Sequence, residues 1–232
     1  MNEYKKIHFV GIAGIGMSAL AKWFFHLESQ VSGSDMVESD ITQDLTEREI
    51  KISIGHSKTN VPEDCDVLVF SPAVPETNPE RVRAQELGIK ELSYPEMLGE
   101  ISKQYSTIVV TGTHGKSTTT AMLGKILVDA GYDPTVLVGS LVPDFKDGNL
   151  RLGNSRFFVV EGCEYRAHML HLEPEMIVLT NIEEDHLDFY RDINHIKETF
   201  QEFTDKMQGK GMVVHNASDE HSSALKYSNA VS

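Results

Sequence analysis

Residues 107–118 constrain this chain more than any other segment. The apolar run Thr107-Ile108-Val109-Val110-Thr111 leads directly into Gly112-Thr113-His114-Gly115-Lys116-Ser117-Thr118. A short apolar run bounded by glycine reads as a strand buried on both faces, and Gly-Lys-Ser opening a helix gathers backbone N–H groups, an ammonium and a hydroxyl around one point. That set suits a phosphate chain: the amides wrap phosphate oxygens, Lys116 neutralises them and Ser117 reaches a Mg²⁺ ion. The full GxxxxGK[ST] pattern would place glycine where this chain has Val110, so the loop is a compact variant.

A second strand, glycine turn and helix stand near the start. Ile7 to Val10 is followed by Gly11-Ile12-Ala13-Gly14-Ile15-Gly16. Gly11 and Gly16 occupy the first and third glycine positions of GxGxxG, with Ala13 at the second and Gly14 next to it. The next expected strand ends at Val31-Ser32-Gly33-Ser34-Asp35, which puts an acid about where a ribose hydroxyl would be accepted. The turn itself specifies a diphosphate at a helix N-terminus, whether of a nicotinamide or flavin cofactor or of a nucleotide sugar. Ser71-Pro72-Ala73-Val74-Pro75 follows the strand Val67 to Phe70, at the carboxyl edge where ligands of open α/β sheets collect.

Further apolar runs at Phe157 to Val160, Ile177 to Thr180 and Met212 to Val214 lack alternation, and helices are expected at 15–28, 79–87, 95–103, 116–130 and 193–206. The fold class is therefore α/β, with a Rossmann-like N-terminal parallel sheet domain over 1–105 and a P-loop-type α/β domain over 106–232, the latter incomplete. The 21 Lys and Arg against 35 Asp and Glu leave a net charge of −14, which excludes a broad electrostatic grip on nucleic acid or an anionic membrane. The basic start and apolar run of the first 25 residues resemble a signal peptide, but the glycines of the turn fit a strand and helix instead, which points to a cytoplasmic chain. Two cysteines, Cys65 and Cys163, fit a reducing compartment and are expected to be buried structural thiols.

A phosphate loop needs carboxylates at neighbouring strand ends. Glu161 stands at one such end, and the strand from Met176 empties into Glu183-Glu184-Asp185-His186-Leu187-Asp188. Mg²⁺ prefers oxygen, so spacing alone leaves His186 open between a ligand and a structural residue. Glu47-Arg48-Glu49 and Glu96 read as solvated helix faces, and His168, His171, His195 and His215 as surface or satisfied residues.

Taken together, the segments HFVGIAGIGMSALA, SGSD, SPAVPETNPE, TGTHGKSTTTAML and TNIEEDHLDFY resemble the Mur ligase family, in its alanine-adding branch. The resemblance implies an ATP-dependent ligase of peptidoglycan precursor synthesis that joins L-alanine to UDP-N-acetylmuramate through an acyl phosphate. It implies that Gly11, Ile12, Ala13, Gly14, Ile15 and Gly16 meet the pyrophosphate, with Asp35, His56, Ser71, Pro72 and Ala73 around ribose and uracil. ATP would lie on Gly112, Thr113, His114, Gly115, Lys116, Ser117 and Thr118, with Ser117, Glu161 and His186 on Mg²⁺, and Lys116, Glu161 and His186 carrying the catalysis. Where the branch reads Glu-Ala-Asp-Glu-Ser, this chain has Glu161-Gly162-Cys163-Glu164-Tyr165. Family members also carry a C-terminal domain with no counterpart here, so the expectation is a partial chain with little or no ligase turnover alone. A muropeptide ligase of the same family, a nicotinamide-dependent oxidoreductase and a non-catalytic UDP-sugar-binding fragment are the competing readings.

Overall fold

A computed structural model describes residues 3–207 and 209–231. The chain forms two compact units, the first running to Met97 with Asp147–Asn149 joined to it, the second comprising Leu98–Lys146 and the residues from Leu150 on.

The first unit is built on β1 (Lys6–Val10), whose residues from Ile7 to Val10 are all buried, as an apolar run without alternation requires. Gly11 then turns the chain with a left-handed φ of 77°, and α1 (Ile15–His26) returns across the sheet to β2 (Gln30–Asp35). Helix α2 (Asp40–Glu47) starts at a capping box between Ser39 and Thr42 and leads to β3 (Lys51–Ile54). The unit continues through β4 (Val67–Phe70), α3 (Pro79–Leu87) and β5 (Lys90–Ser93), and α4 (Tyr94–Ser102) carries the chain into the second unit. The five strands are parallel in the order β3-β2-β1-β4-β5. Val10 is level with Ser34 and with Phe70, and Asp35 with Ile54. This register brings the Gly11 turn, Asp35, His56 and Ser71 out along one carboxyl edge.

The second unit is centred on β6 (Ser106–Thr111), buried at every residue, followed by α5 (Lys116–Asp129). Then come β7 (Thr135–Leu137), β8 (Leu150–Arg151), β9 (Phe157–Gly162), β10 (Met176–Leu179), α6 (Ile193–Asp205), β11 (Met212–His215), α7 (Glu220–Ser223) and β12 (Ala230–Val231). The sheet order is β12-β11-β10-β6-β9-β7-β8, parallel except for the β7–β8 pair. Ile108, Val110, Val136, Val138 and Val159 make a core on which Ala121, Leu123 and Leu127 of α5 pack. Val110 is level with Glu161 and Thr111 with Leu179, so the glycine loop emerges between the ends of β9 and β10.

The sheets are parallel except for the β7–β8 pair, and the long helices fall where expected, but β3, β5, β7, β8, β12 and α2 are additions. Their sequences hide them: Lys51–Ile54 and Lys90–Ser93 mix charged and apolar residues at sheet edges, and β7 has three residues. Arg48, expected on a solvated face, pairs with Asp44 at 3.0 Å and Asp147 at 2.6 Å. No helix among the described residues is long and apolar enough to cross a membrane.

The glycine of Ser32-Gly33-Ser34-Asp35 has a packing cause. A Cβ on Gly33 would lie 2.6 Å from Ile12 Cδ1 and 2.7 Å from the Phe9 carbonyl, and both neighbours belong to the core. Gly33→Ala is expected to cost about 1–3 kcal/mol by overpacking. Urea unfolding measures this, and an unchanged midpoint would contradict the close approach.

Candidate functional site

In the first unit the carboxyl edge of the sheet opens into a groove of about 600 Å³. Of the residues expected at a nucleotide sugar, Gly11, Gly14, Asp35, His56, Ser71 and Ala73 line it. Gly14 caps α1 with no side-chain hydrogen bond, which leaves the helix N-terminus facing outward for an anion. The other expected residues have different places. Ile12 is fully buried against Gly33, and the Ala13 N–H donates to Asp35 Oδ2 at 2.9 Å. Ile15 opens α1, Pro72 is exposed beside the groove, and a Cβ on Gly16 would fall 2.4 Å from Tyr94 Cζ. Asp35 thus ties the glycine turn to β2 through the same carboxylate that reaches the groove.

Beneath the groove lies a carboxylate that the sequence reading left unassigned. Glu80, in the first turn of α3, is fully buried and accepts from Ser34 Oγ at 2.5 Å, Asn60 Nδ2 at 2.6 Å, the Ser57 N–H at 3.1 Å and His8 Nε2 at 3.2 Å. Burial alone would raise its pKa, but the hydrogen bonds from His8, Ser34 and Asn60 overcome it and draw the group from 4.5 down to about 2. The only hint in the sequence was its place two residues after Asn78, whose side chain caps α3.

In the second unit, the phosphate loop is held by the end of β10. The Thr113 N–H donates to the Asn181 carbonyl at 3.0 Å and the His114 N–H to Asn181 Oδ1 at 2.9 Å, while Asn181 Nδ2 returns a bond to the His114 carbonyl at 3.0 Å. Thr113 is buried, and its Oγ1 accepts from the Glu183 N–H at 2.8 Å. Thr113 and His114 therefore brace the loop, and the amides at Gly115, Lys116 and Ser117 are the ones at the start of α5. Gly112 is required by crowding, since its Cβ would lie 2.2 Å from Thr180 Oγ1; Gly115, in open space, is required by its φ of 80°. Thr118 is exposed on the first turn of α5.

Two acidic groups flank the loop. Ser117 Oγ donates to Glu161 Oε2 at 2.8 Å, and the Gly139 N–H donates to the same oxygen at 2.8 Å. Lys116 Nζ donates to the Gly112 and Thr113 carbonyls at 2.8 and 2.9 Å and to Glu164 Oε1 at 3.0 Å. His186, in a left-handed conformation with φ 52°, reaches Glu164 Oε1 at 3.5 Å and packs against Tyr165 with ring centroids 4.7 Å apart and the planes tilted by 41°. The metal ligands expected from sequence thus divide: Ser117 and Glu161 are in direct contact, whereas His186 gathers with Glu164 and Asp185, their ligand atoms within 4.8 Å of one another. Glu164 is buried, and its Oε2 faces Lys116 Nζ at 2.9 Å without hydrogen-bond geometry, which leaves a lone pair open. A hydroxyl and several carboxylate oxygens fit a hard cation such as Mg²⁺. Glu164 and Asn181 were not assigned from sequence; Glu164 was visible only as a retained glutamate in an altered segment. Cys65 is buried, with burial pushing its thiol up to about 11, but Cys163 is exposed because it sits in the loop leaving β9 rather than in the strand.

Fold and site together define an α/β protein with two largely parallel sheets, each carrying a glycine turn that opens a helix, the second a Gly-Lys-Ser loop flanked by acids. Residues 6–106 match the Mur ligase family, catalytic domain, and residues 110–231 the Mur ligase middle domain, so the chain belongs to the Mur ligase family. It is 46% identical over 217 residues to the UDP-N-acetylmuramate–L-alanine ligase of Clostridium perfringens, across 93% of this chain and 47% of that one. The solved UDP-N-acetylmuramate-alanine ligase of Thermotoga maritima superposes with a TM-score of 0.83 at 33% identity, covering 94% of this chain and 50% of that one. The UDP-N-acetylmuramate:L-alanyl-gamma-D-glutamyl-meso-diaminopimelate ligase of Neisseria meningitidis superposes with a TM-score of 0.86 at 28% identity, covering 94% and 73%. The chain spans about half the length of the curated relatives it matches.

Two outcomes follow from this geometry. Because the folded pKa of Glu80 lies below its unfolded value, its contribution to stability is full above pH about 4.5 and is lost as pH falls through about 2. At about 1.4 kcal/mol per unit, roughly 3 kcal/mol of acid sensitivity belongs to this group. Glu80→Gln is expected to flatten that part of the stability curve, and an unaltered acid limb would contradict the assignment. Asn181→Ala removes two side-chain hydrogen bonds from the loop, and the His114 amide is expected to exchange with solvent at least about tenfold faster, equivalent to about 1.4 kcal/mol. Unchanged protection would show that the loop is braced elsewhere.

Proposed function

We propose that this chain carries the nucleotide-sugar and ATP sites of a ligase that joins L-alanine to the lactyl carboxylate of UDP-N-acetylmuramate. The observation that carries the reading is the 46% identity over 217 residues to a relative of that name, together with a Gly-Lys-Ser loop in which Ser117 meets Glu161 and Lys116 meets Glu164. In this reading the groove beside Gly11, Gly14 and Asp35 takes the UDP moiety, and the N-terminus of α5 takes the ATP phosphates.

A carboxylate is a poor acylating agent because oxide is a bad leaving group. Its oxygen attacks the γ-phosphorus, the bond to ADP breaks, and the acyl phosphate so formed has phosphate as its leaving group. The amine of L-alanine then attacks the acyl carbon, phosphate departs, and the nitrogen loses a proton to form the amide. What this chain supplies to the first step is position and charge: the amides from Gly115 onward hold phosphate oxygens, and Lys116 exchanges its contacts with the Gly112 and Thr113 carbonyls for the phosphates. Ser117 and Glu161, with Glu164, Asp185 and His186 nearby, would hold Mg²⁺, which when bound neutralises charge on the phosphates.

The similarity in shape to the Neisseria enzyme supports a second reading, in which a preformed peptide replaces alanine. The higher identity to the alanine ligases favours alanine, while Cys163 and Tyr165 lie in the segment where this chain departs from the alanine-adding pattern.

Lys116→Ala is expected to weaken ATP binding at least about tenfold, or 1.4 kcal/mol, and to leave UDP-N-acetylmuramate binding within about twofold of the parent chain by calorimetry. Loss of both affinities, or selective binding of NADH in place of the UDP sugar, would contradict the assignment.

A further inference from the structure

The polar network beneath the groove fixes more than stability. Glu80 is fully buried, and an ionised carboxylate can only accept, so each of its partners must donate. The hydrogen bonds that surround it hold the ionised form strongly against burial. Ser34 has a single hydroxyl hydrogen, and at 2.5 Å from Glu80 Oε2 that hydrogen is committed to the carboxylate. Toward His56 Nδ1, 3.0 Å away, Ser34 Oγ therefore offers only lone pairs. Nδ1 also faces Glu80 Oε1 at 3.4 Å. Both neighbours of Nδ1 are acceptors, so Nδ1 carries the hydrogen, and in a neutral imidazole Nε2 is then bare. Nε2 has no partner among the described residues, and His56 lines the groove with its side chain 11% exposed. His8 shows the same logic with the ring reversed: Nε2 donates to Glu80 at 3.2 Å, and Nδ1, 2.9 Å from Ser32 Oγ, accepts.

We propose that Glu80 is a positioning residue of the groove, which through Ser34 locks His56 with its hydrogen on Nδ1 and so presents an unprotonated Nε2 that accepts a hydrogen from the bound nucleotide. This rests on reading the groove as the UDP site. The ligand group must be a donor, either the imide N–H of the base or a ribose hydroxyl. A cytosine ring offers a bare nitrogen where uracil has its imide N–H, so in the first case the same acceptor also selects the base.

Nitrogen-resolved NMR of the ligand-free chain is expected to show His56 with hydrogen on Nδ1 and none on Nε2; hydrogen on Nε2, alone or with Nδ1, overturns the proposal. Calorimetry with UDP, N3-methyl-UDP, 2′-deoxy-UDP and 3′-deoxy-UDP then finds the donor. One of the three analogues is expected to bind at least about tenfold more weakly than UDP, a loss of about 1.4 kcal/mol, and which one does so distinguishes base from ribose. In Glu80→Gln, where the amide can donate as well as accept, that discrimination should shrink below about threefold. Should that variant fold poorly, His56→Phe removes the acceptor without touching the carboxylate and should abolish the same discrimination. Discrimination that persists in His56→Phe overturns the proposal, as does its absence in the parent chain. If the parent chain does not bind UDP at all, the reading of the groove fails, and the tautomer measured without ligand still decides the role of Glu80.

Discussion

A chain with a net charge of −14 can hold a polyanion only where local structure reverses the sign of its field. The end of a buried parallel strand, turned by glycine into a helix, is such a place, because the first amides of the helix have no partners within it. Both units depend on this constraint. In one, Gly11 lets β1 pass into α1; in the other, Gly112 and Gly115 let β6 pass into α5. The parallel register then brings the functional side chains of neighbouring strands out at the same edge.

Acidic side chains organise what surrounds these turns. Asp35 holds the Ala13 amide, Glu80 orients two histidines, two serines and an asparagine, and Glu161 links Ser117 to Gly139. Each works as an acceptor that leaves its donors no alternative geometry. Glu164 is the exception, since its Oε2 has no hydrogen-bond partner while Oε1 accepts from Lys116 and faces His186. An acid that is structural elsewhere in the chain is in this loop available to a ligand.

What could be read from the sequence was the part written in local pattern. The two strand–glycine–helix turns, the parallel sheets and the long helices follow from apolar runs and glycine spacing, and Ser117 and Glu161 meet as strand-end placement suggested. The short edge strands lacked such a pattern. Roles that depend on contacts distant in sequence were also hidden: Glu80 reaches His8 across 72 residues, and Asn181 reaches His114 across 67. Gly16 and Gly33 show the converse difficulty, because the sequence displayed the glycines while the reasons for them, Tyr94 in one case and Ile12 with Phe9 in the other, are tertiary. Membership in the Mur ligase family joined the two turns into one functional reading, which neither turn carried alone.

In the proposed ligase reading, the two glycine turns are separate sites for two different nucleotides on one chain. Calorimetric titration of the chain with UDP-N-acetylmuramate, with ATP and Mg²⁺, and with each in the presence of saturating amounts of the other tests it most directly. One molecule of each is expected to bind per chain, with neither displacing the other. Mutual displacement, or a single site occupied by both, would contradict it.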